Sequence, residues 1–199
     1  MDHATCLRQL SATHFATSLF PLTVRLVPLI FQIGRLIVRF RRAELTPQAT
    51  HQFETQLRDQ LRELGRIIVE WTFNHLEPHD CRDLPNQMSF QGVEYRRRSK
   101  TPNRSVATLF GTITLWRTLY QDVHGIEPSI FPLEIRLGLE AGLATPALAE
   151  RAAQAAATST QNAVRALLKA AHGVSWSVAS LRKVIAGVAA GMDEHRHDA

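Results

Sequence analysis

The chain has 199 residues, 45% of them hydrophobic and 21% charged, a composition that excludes a largely disordered protein. A net charge of +5 and a pI near 9.9 favour polyanionic partners. Two cysteines, Cys6 and Cys81, with no CxxC pair, exclude a disulfide framework and a four-cysteine zinc site; both read as free thiols of a reducing compartment.

Residues 1–44 form an amphipathic N-terminal segment. Phe15–Phe40 is apolar but interrupted by Arg25, Arg35 and Arg39 and by Pro21 and Pro28. At helical spacing Arg25, Gln32, Arg35, Arg39 and Arg42 share one side, with Leu26, Leu29, Ile30, Ile33, Leu36, Ile37 and Phe40 mainly on the other. Pro28 predicts a kink or a restart. The favoured reading is intramolecular packing of the apolar side. The alternative is a basic amphipathic element, residues 22–40, against phosphates or a membrane surface. The charge-free run Gln9–Val24 is too short to span a bilayer, and no small-residue cleavage pattern marks a signal peptide.

Residues 45–78 read as one long helix. Thr46 caps it, Pro47 fits its first position, and Pro78 lies beyond its end. Phe53, Leu57, Leu61, Leu64, Ile68 and Trp71 recur close to every 3.5 residues, which suits either self-association or packing within the chain.

Residues 85–122 predict a basic β-hairpin. Val93, Tyr95 and Arg97 alternate. Further on, Leu109, Gly111, Ile113, Leu115 and Leu119 oppose Thr108, Phe110, Thr112, Thr114, Trp116 and Tyr120. Arg96–Val106 reads as the loop between the strands and places Arg96, Arg97, Arg98, Lys100 and Arg104 at the hairpin tip. Such a cluster is a phosphate contact; four or five neutralised phosphates imply a log–log salt slope of roughly −4. Gly125, Pro128 and Pro132 mark a linker before Leu133–Ala144.

Residues 145–191 carry three helical patterns, and 192–199 read as a tail. Thr145-Pro146 caps the first helix, and Thr158 with Gln161 suggests a capping box for the second. Gly173 ends that helix, and Ser175 or Ser177 caps the third. In the third helix Val178, Leu181, Ile185 and Val188 form the inward stripe. Trp176, Ser180 and Lys183 point outward, with Arg182 at the margin. This is a helix-turn-helix-like pattern, and its candidate DNA contacts are Trp176, Ser177, Ser180, Arg182 and Lys183. The expected fold class is mainly α with a β-hairpin, an α+β fold.

A complete catalytic set is missing from the pattern. Glu63, Glu70, Glu94 and Asp122 sit in no alternating strand–helix arrangement, and neither a glycine-rich phosphate loop nor GxSxG occurs. His75, His79 and Cys81 have a metal-like spacing, but Pro78 breaks the helix that would align them. They read as residues near a helix end, and neither metal nor cofactor is expected.

LRELGRIIVEW (61–71), YRRRSKTPNRSVATLFGTITLWRTLY (95–120), LGL (137–139), TPALAERAA (145–153) and HGVSWSVASLRKV (172–184) together cover most of Phe53–Met192. In this order they resemble the N-terminal half of bacterial insertion-sequence transposases of the ISKra/ISLre type. The resemblance implies a region that binds the element's DNA ends. It also implies a following ribonuclease-H-like domain whose Asp-Asp-Glu triad holds two divalent metals for strand cleavage and transfer. The chain stops after GMDEHRH, where that domain would begin, so a truncated transposase without catalysis is expected. The zinc-binding cysteines that some relatives carry near the hairpin are not in this sequence.

The expectation is thus a cytoplasmic, nucleoid-associated protein that binds double-stranded DNA at terminal repeats and forms a homo-oligomer, with a membrane partner not favoured. The competing readings are a non-enzymatic self-association protein working through residues 53–71, and a peripheral membrane protein.

Overall fold

The computed structural model describes residues 12–197, with side chains over 19–99 and 104–190. In chain order the elements are α1 (Ala12–Arg42), α2 (Pro47–Asn74), a 3-10 turn (Cys81–Asp83), β1 (Gln87–Phe90), β2 (Val93–Thr108), β3 (Gly111–Asp122), α3 (Pro132–Arg136), α4 (Pro146–Thr158), α5 (Gln161–His172) and α6 (Val178–His197). The fold is mainly α with a small antiparallel sheet, an α+β fold. Two compact units, Met1–Ile68 and Val69–Ala199, divide the chain within α2.

In the first unit α1 and α2 form an antiparallel hairpin. Phe40 stacks on Phe53 with ring centroids 4.3 Å apart. At the far end the Glu63 carboxyl is held below its usual range first by its hydrogen bond from Arg66, with burial opposing, and then by the Arg66, Arg25 and Arg62 charges. Thr46 Oγ1 accepts from the Ala49 N–H at 3.1 Å and caps α2. Helix α1 runs through both prolines instead of restarting at Pro28. Its inner seam is Leu22, Leu26, Leu29, Ile33, Leu36 and Phe40, buried or half-buried at alternating steps of four and three. Ile30 and Ile37, expected on that seam, are exposed. In α2 the even seam also divides. Leu61 and Ile68 are exposed whereas Ile67 is buried, because a 3.6-residue helix drifts away from a 3.5-residue stripe.

In the second unit the sheet is an antiparallel meander, ordered β1-β2-β3. The stretch read as a loop, Arg96–Val106, is instead the body of β2, and the hairpin turns at Leu109-Phe110. Strand β2 absorbs the irregular sequence through two register shifts, Arg97/Lys100 and Thr101/Arg104. Pro102 falls in the second of these, where its missing N–H breaks no ladder. The alternation in β3 changes phase at Arg117-Thr118, where consecutive residues are both buried.

Two cores hold this unit. Val106, Ile113, Leu115 and Leu133 pack with Val69, Phe73 and Leu76 from the end of α2 and its exit. Ala107, on the opposite face of β2 from Val106, enters a second core with Leu148, Ala152, Val164, Leu168, Leu181 and Val184 of the three C-terminal helices. A strand-like contact ties the two together: the Ala107 N–H donates to the Leu143 carbonyl at 2.8 Å and the Thr145 N–H to the Ala107 carbonyl at 3.0 Å.

The outer edge of β3 is covered without another strand. Asn74 and Glu77 bond its backbone from Thr114 to Thr118, and the Tyr120 N–H and carbonyl pair with Ile130 at 2.9 and 2.8 Å. An edge satisfied in this way cannot recruit a foreign strand.

Candidate nucleic-acid interface

The three-helix unit owes its turns to local chemistry. Thr160, not Thr158, caps α5, accepting from the Ala163 N–H at 3.4 Å; Thr158 closes α4 by donating to Ala155. Thr145 makes no side-chain cap bond, and Pro146 alone starts α4. Gly173 ends α5 in the left-handed conformation, φ 67°, with its N–H on Lys169. Ser177 caps α6, accepting from the Ser180 N–H at 3.0 Å.

The inward face of α6 is Val178, Leu181, Val184, Ile185 and Val188. Its outward face is Ala179, Arg182, Lys183, Ala186 and Ala190, all exposed. Helix α6 continues to His197, so residues 192–197 belong to it and not to a tail. Residues 145–190 carry Arg151, Arg165, Lys169, Arg182 and Lys183 against one acid, Glu150.

The candidate contacts separate into two groups. Arg182 and Lys183 stand on the outward face, and Ser177 is exposed at the cap. Trp176, expected to point outward, is half-buried and packs on the helical core. Its carbonyl accepts from Arg165 Nε at 2.7 Å, which locks α5 to the turn. Ser180 is half-buried, with its hydroxyl 3.0 Å from that of Ser177. A pairing across eleven positions, as between Arg165 and Trp176, leaves no periodic trace in a sequence. Val184 could have been found, since it shares the wheel position of Leu181 and Val188.

The basic residues of β2 divide likewise. Arg96 and Arg98 are exposed, and Arg98 Nε donates to Gln121 Oε1 at 2.9 Å. Arg97 is half-buried and donates to the Leu84 carbonyl. Arg104 Nε donates to the Gly142 carbonyl at 2.7 Å, and Nη2 reaches Ala141 at 3.3 Å. Lys100 lies on β2 opposite Thr118, and its side chain is outside the described ones. Arg104 borders a buried cluster in which Arg117 pairs with Glu134 and sits 3.6 Å over the Phe131 ring. Burial, and then the neighbouring Arg104 charge, lower the Arg117 pKa to about 10.

His75 stacks on Trp71 at 4.4 Å and its Nδ1 lies 2.7 Å from the Trp71 carbonyl. Among the described residues no three His, Cys, Asp or Glu side chains converge as metal ligands. His195 and His197 have no described side chains.

The chain is thus defined as an α+β protein whose sheet is fastened to a basic three-helix unit. Comparison with protein-family models, with curated proteins and with solved structures produced no match.

Proposed function

We propose that residues 69–199 are a double-stranded DNA-binding unit of the insertion-sequence transposase type, which holds element ends and performs no chemistry itself. The reading rests on the outward face of α6. Alanines at 179, 186 and 190 keep that face low enough for close approach to base edges, and Arg182 and Lys183 supply donors suited to guanine. The excess of base over acid across 145–190 and the exposed Arg96 and Arg98 support it as sources of phosphate contact. The resemblance in block order supplies the element-end specificity.

The test is fluorescence anisotropy of the full chain on labelled duplexes carrying the element's terminal repeat or random sequence. Lys183→Ala is expected to reduce the preference for the repeat by about 1–3 kcal/mol, and Arg182→Ala/Lys183→Ala to abolish it. Equal affinity of the wild type for both duplexes would overturn specific binding.

A further inference from the structure

Helix α1 has an apolar face that nothing in the described chain covers. Phe20, Val24, Val27, Phe31 and Val38, with Ile30 beside them, run along the side opposite the inner seam. Phe20 is 73% exposed and Phe31 69%. Large apolar side chains that exposed, in one continuous stripe, mark an interaction surface. Arg35 and Arg39 border the stripe, Arg41 and Arg42 end the helix, and residues 12–43 contain no Asp or Glu.

We propose that this face docks on an anionic lipid bilayer, with α1 lying in the headgroup plane and its aromatic and aliphatic side chains in the outer acyl layer. Charge complementarity selects that occupant. Arginines bordering an apolar stripe keep their stems on the hydrocarbon and their guanidinium groups among phosphates. A second copy of α1 packed in parallel would set two acid-free, arginine-rich ends together. Residues 19–42, with mean hydropathy 1.5, are long and apolar enough to cross a membrane. However, the inner seam of α1 faces α2, which carries Arg58, Asp59, Arg62, Glu63 and Arg66. A hairpin with that many charges stays out of the hydrocarbon layer, so α1 lies on the bilayer instead of spanning it. The proposal rests on residues of α1 alone and does not depend on the DNA reading of α6.

Flotation of the full chain with vesicles tests the proposal, using phosphatidylcholine alone and an equimolar mixture with phosphatidylglycerol. The chain is expected to float with the anionic vesicles at low salt and to be released at high salt. Arg35→Ala/Arg39→Ala should lower the anionic partition about 30-fold while leaving the neutral partition unchanged. Phe20→Glu/Phe31→Glu should abolish flotation and retain the helical circular dichroism. Should that variant lose helicity, Val24→Ser/Val27→Ser is the milder probe, with an expected loss of about ten-fold. Arg182→Ala/Lys183→Ala should float like the wild type, and its failure to float would overturn the assignment to α1. Absence of flotation on anionic vesicles at low salt would overturn the proposal. So would flotation that resists both high salt and alkaline carbonate, which signifies a span. A dimer that Phe20→Glu/Phe31→Glu dissociates, with no flotation by the wild type, would make the occupant a second copy.

Discussion

Asn74 pairs with Trp116 as a strand would. Asn74 Oδ1 accepts from the Trp116 N–H at 2.7 Å, and Asn74 Nδ2 donates to the Thr114 carbonyl at 2.8 Å. One side chain at the end of α2 thus satisfies both backbone groups that β3 presents there. Three residues on, just past the end of α2, Glu77 accepts from the Thr118 N–H at 3.1 Å and from its hydroxyl at 3.0 Å. The C-terminal end of a helix serves here as the missing fourth strand of the sheet.

Asn74→Ala leaves an edge N–H and an edge carbonyl without their partners, and is expected to cost about 1–3 kcal/mol. Urea unfolding followed by circular dichroism measures it. Aggregation at the transition midpoint should increase, because the β3 edge becomes available to other chains. A change within experimental error would show that water replaces Asn74 without loss.

Arg97 and Arg98 are adjacent, but their substitutions should act differently. Arg97→Ala removes a half-buried donor to the Leu84 carbonyl, so it should lower stability by about 1–2 kcal/mol. Arg98→Ala removes an exposed cation; stability should hold within about 0.5 kcal/mol. If the DNA reading is right, Arg98→Ala also weakens binding to all duplexes and reduces the salt slope by about 1. Thermal unfolding and anisotropy titrations on the two variants separate these outcomes.

Gly142 has φ +61°, and a Cβ there would stand 2.9 Å from both Arg104 Nη2 and Glu134 Oε2. Gly142→Ala should therefore cost about 1–2 kcal/mol from the left-handed backbone alone. Displacing Arg104 or Glu134 adds to that. The check is the urea midpoint at constant slope; a variant as stable as the wild type would mean that the turn adopts another conformation.

The Asp122 carboxyl is held below its usual range, first by accepting from the Glu127 and His124 N–H groups, with burial opposing and Ile126 adding a third bond. A depressed carboxylate contributes stability that is fully present above its unfolded pKa and is lost as pH falls through the folded value. The wild type should therefore lose stability below about pH 4, the unperturbed aspartate range, and Asp122→Asn should lose less over that interval. Unfolding curves from neutral pH to pH 2 on both proteins decide it. Identical acid profiles would remove Asp122 from the account.

The local signals were legible because they depend on near neighbours. Thr46, Pro47, Gly173 and Ser177 punctuate the helices as their chemistry requires, and the alternation through Ile113 and Leu115 identified the face of β3 that enters one of the two cores. The basic stretch was not legible as strand. Its proline and its two register shifts erase the period of two, and only pairing with β3 restores extended structure to it.

Candidate contacts were legible as residue types and not as roles. The sequence by itself determined the excess of cations, the three C-terminal helices and the inward stripe of α6, since helical period and capping are properties of the chain. Tertiary structure alone decided which cations remain outside. Leu84 and Gly142 claim Arg97 and Arg104, while Arg96, Arg98, Arg182 and Lys183 stay exposed. A guanidinium bonds whichever carbonyl the fold brings near, and positions 13 or 38 residues away carry no periodic mark. The same holds for α1. Its spacing of arginines and apolar residues announced an amphipathic helix, but only packing against α2 separated the seam that is covered from the stripe that is not.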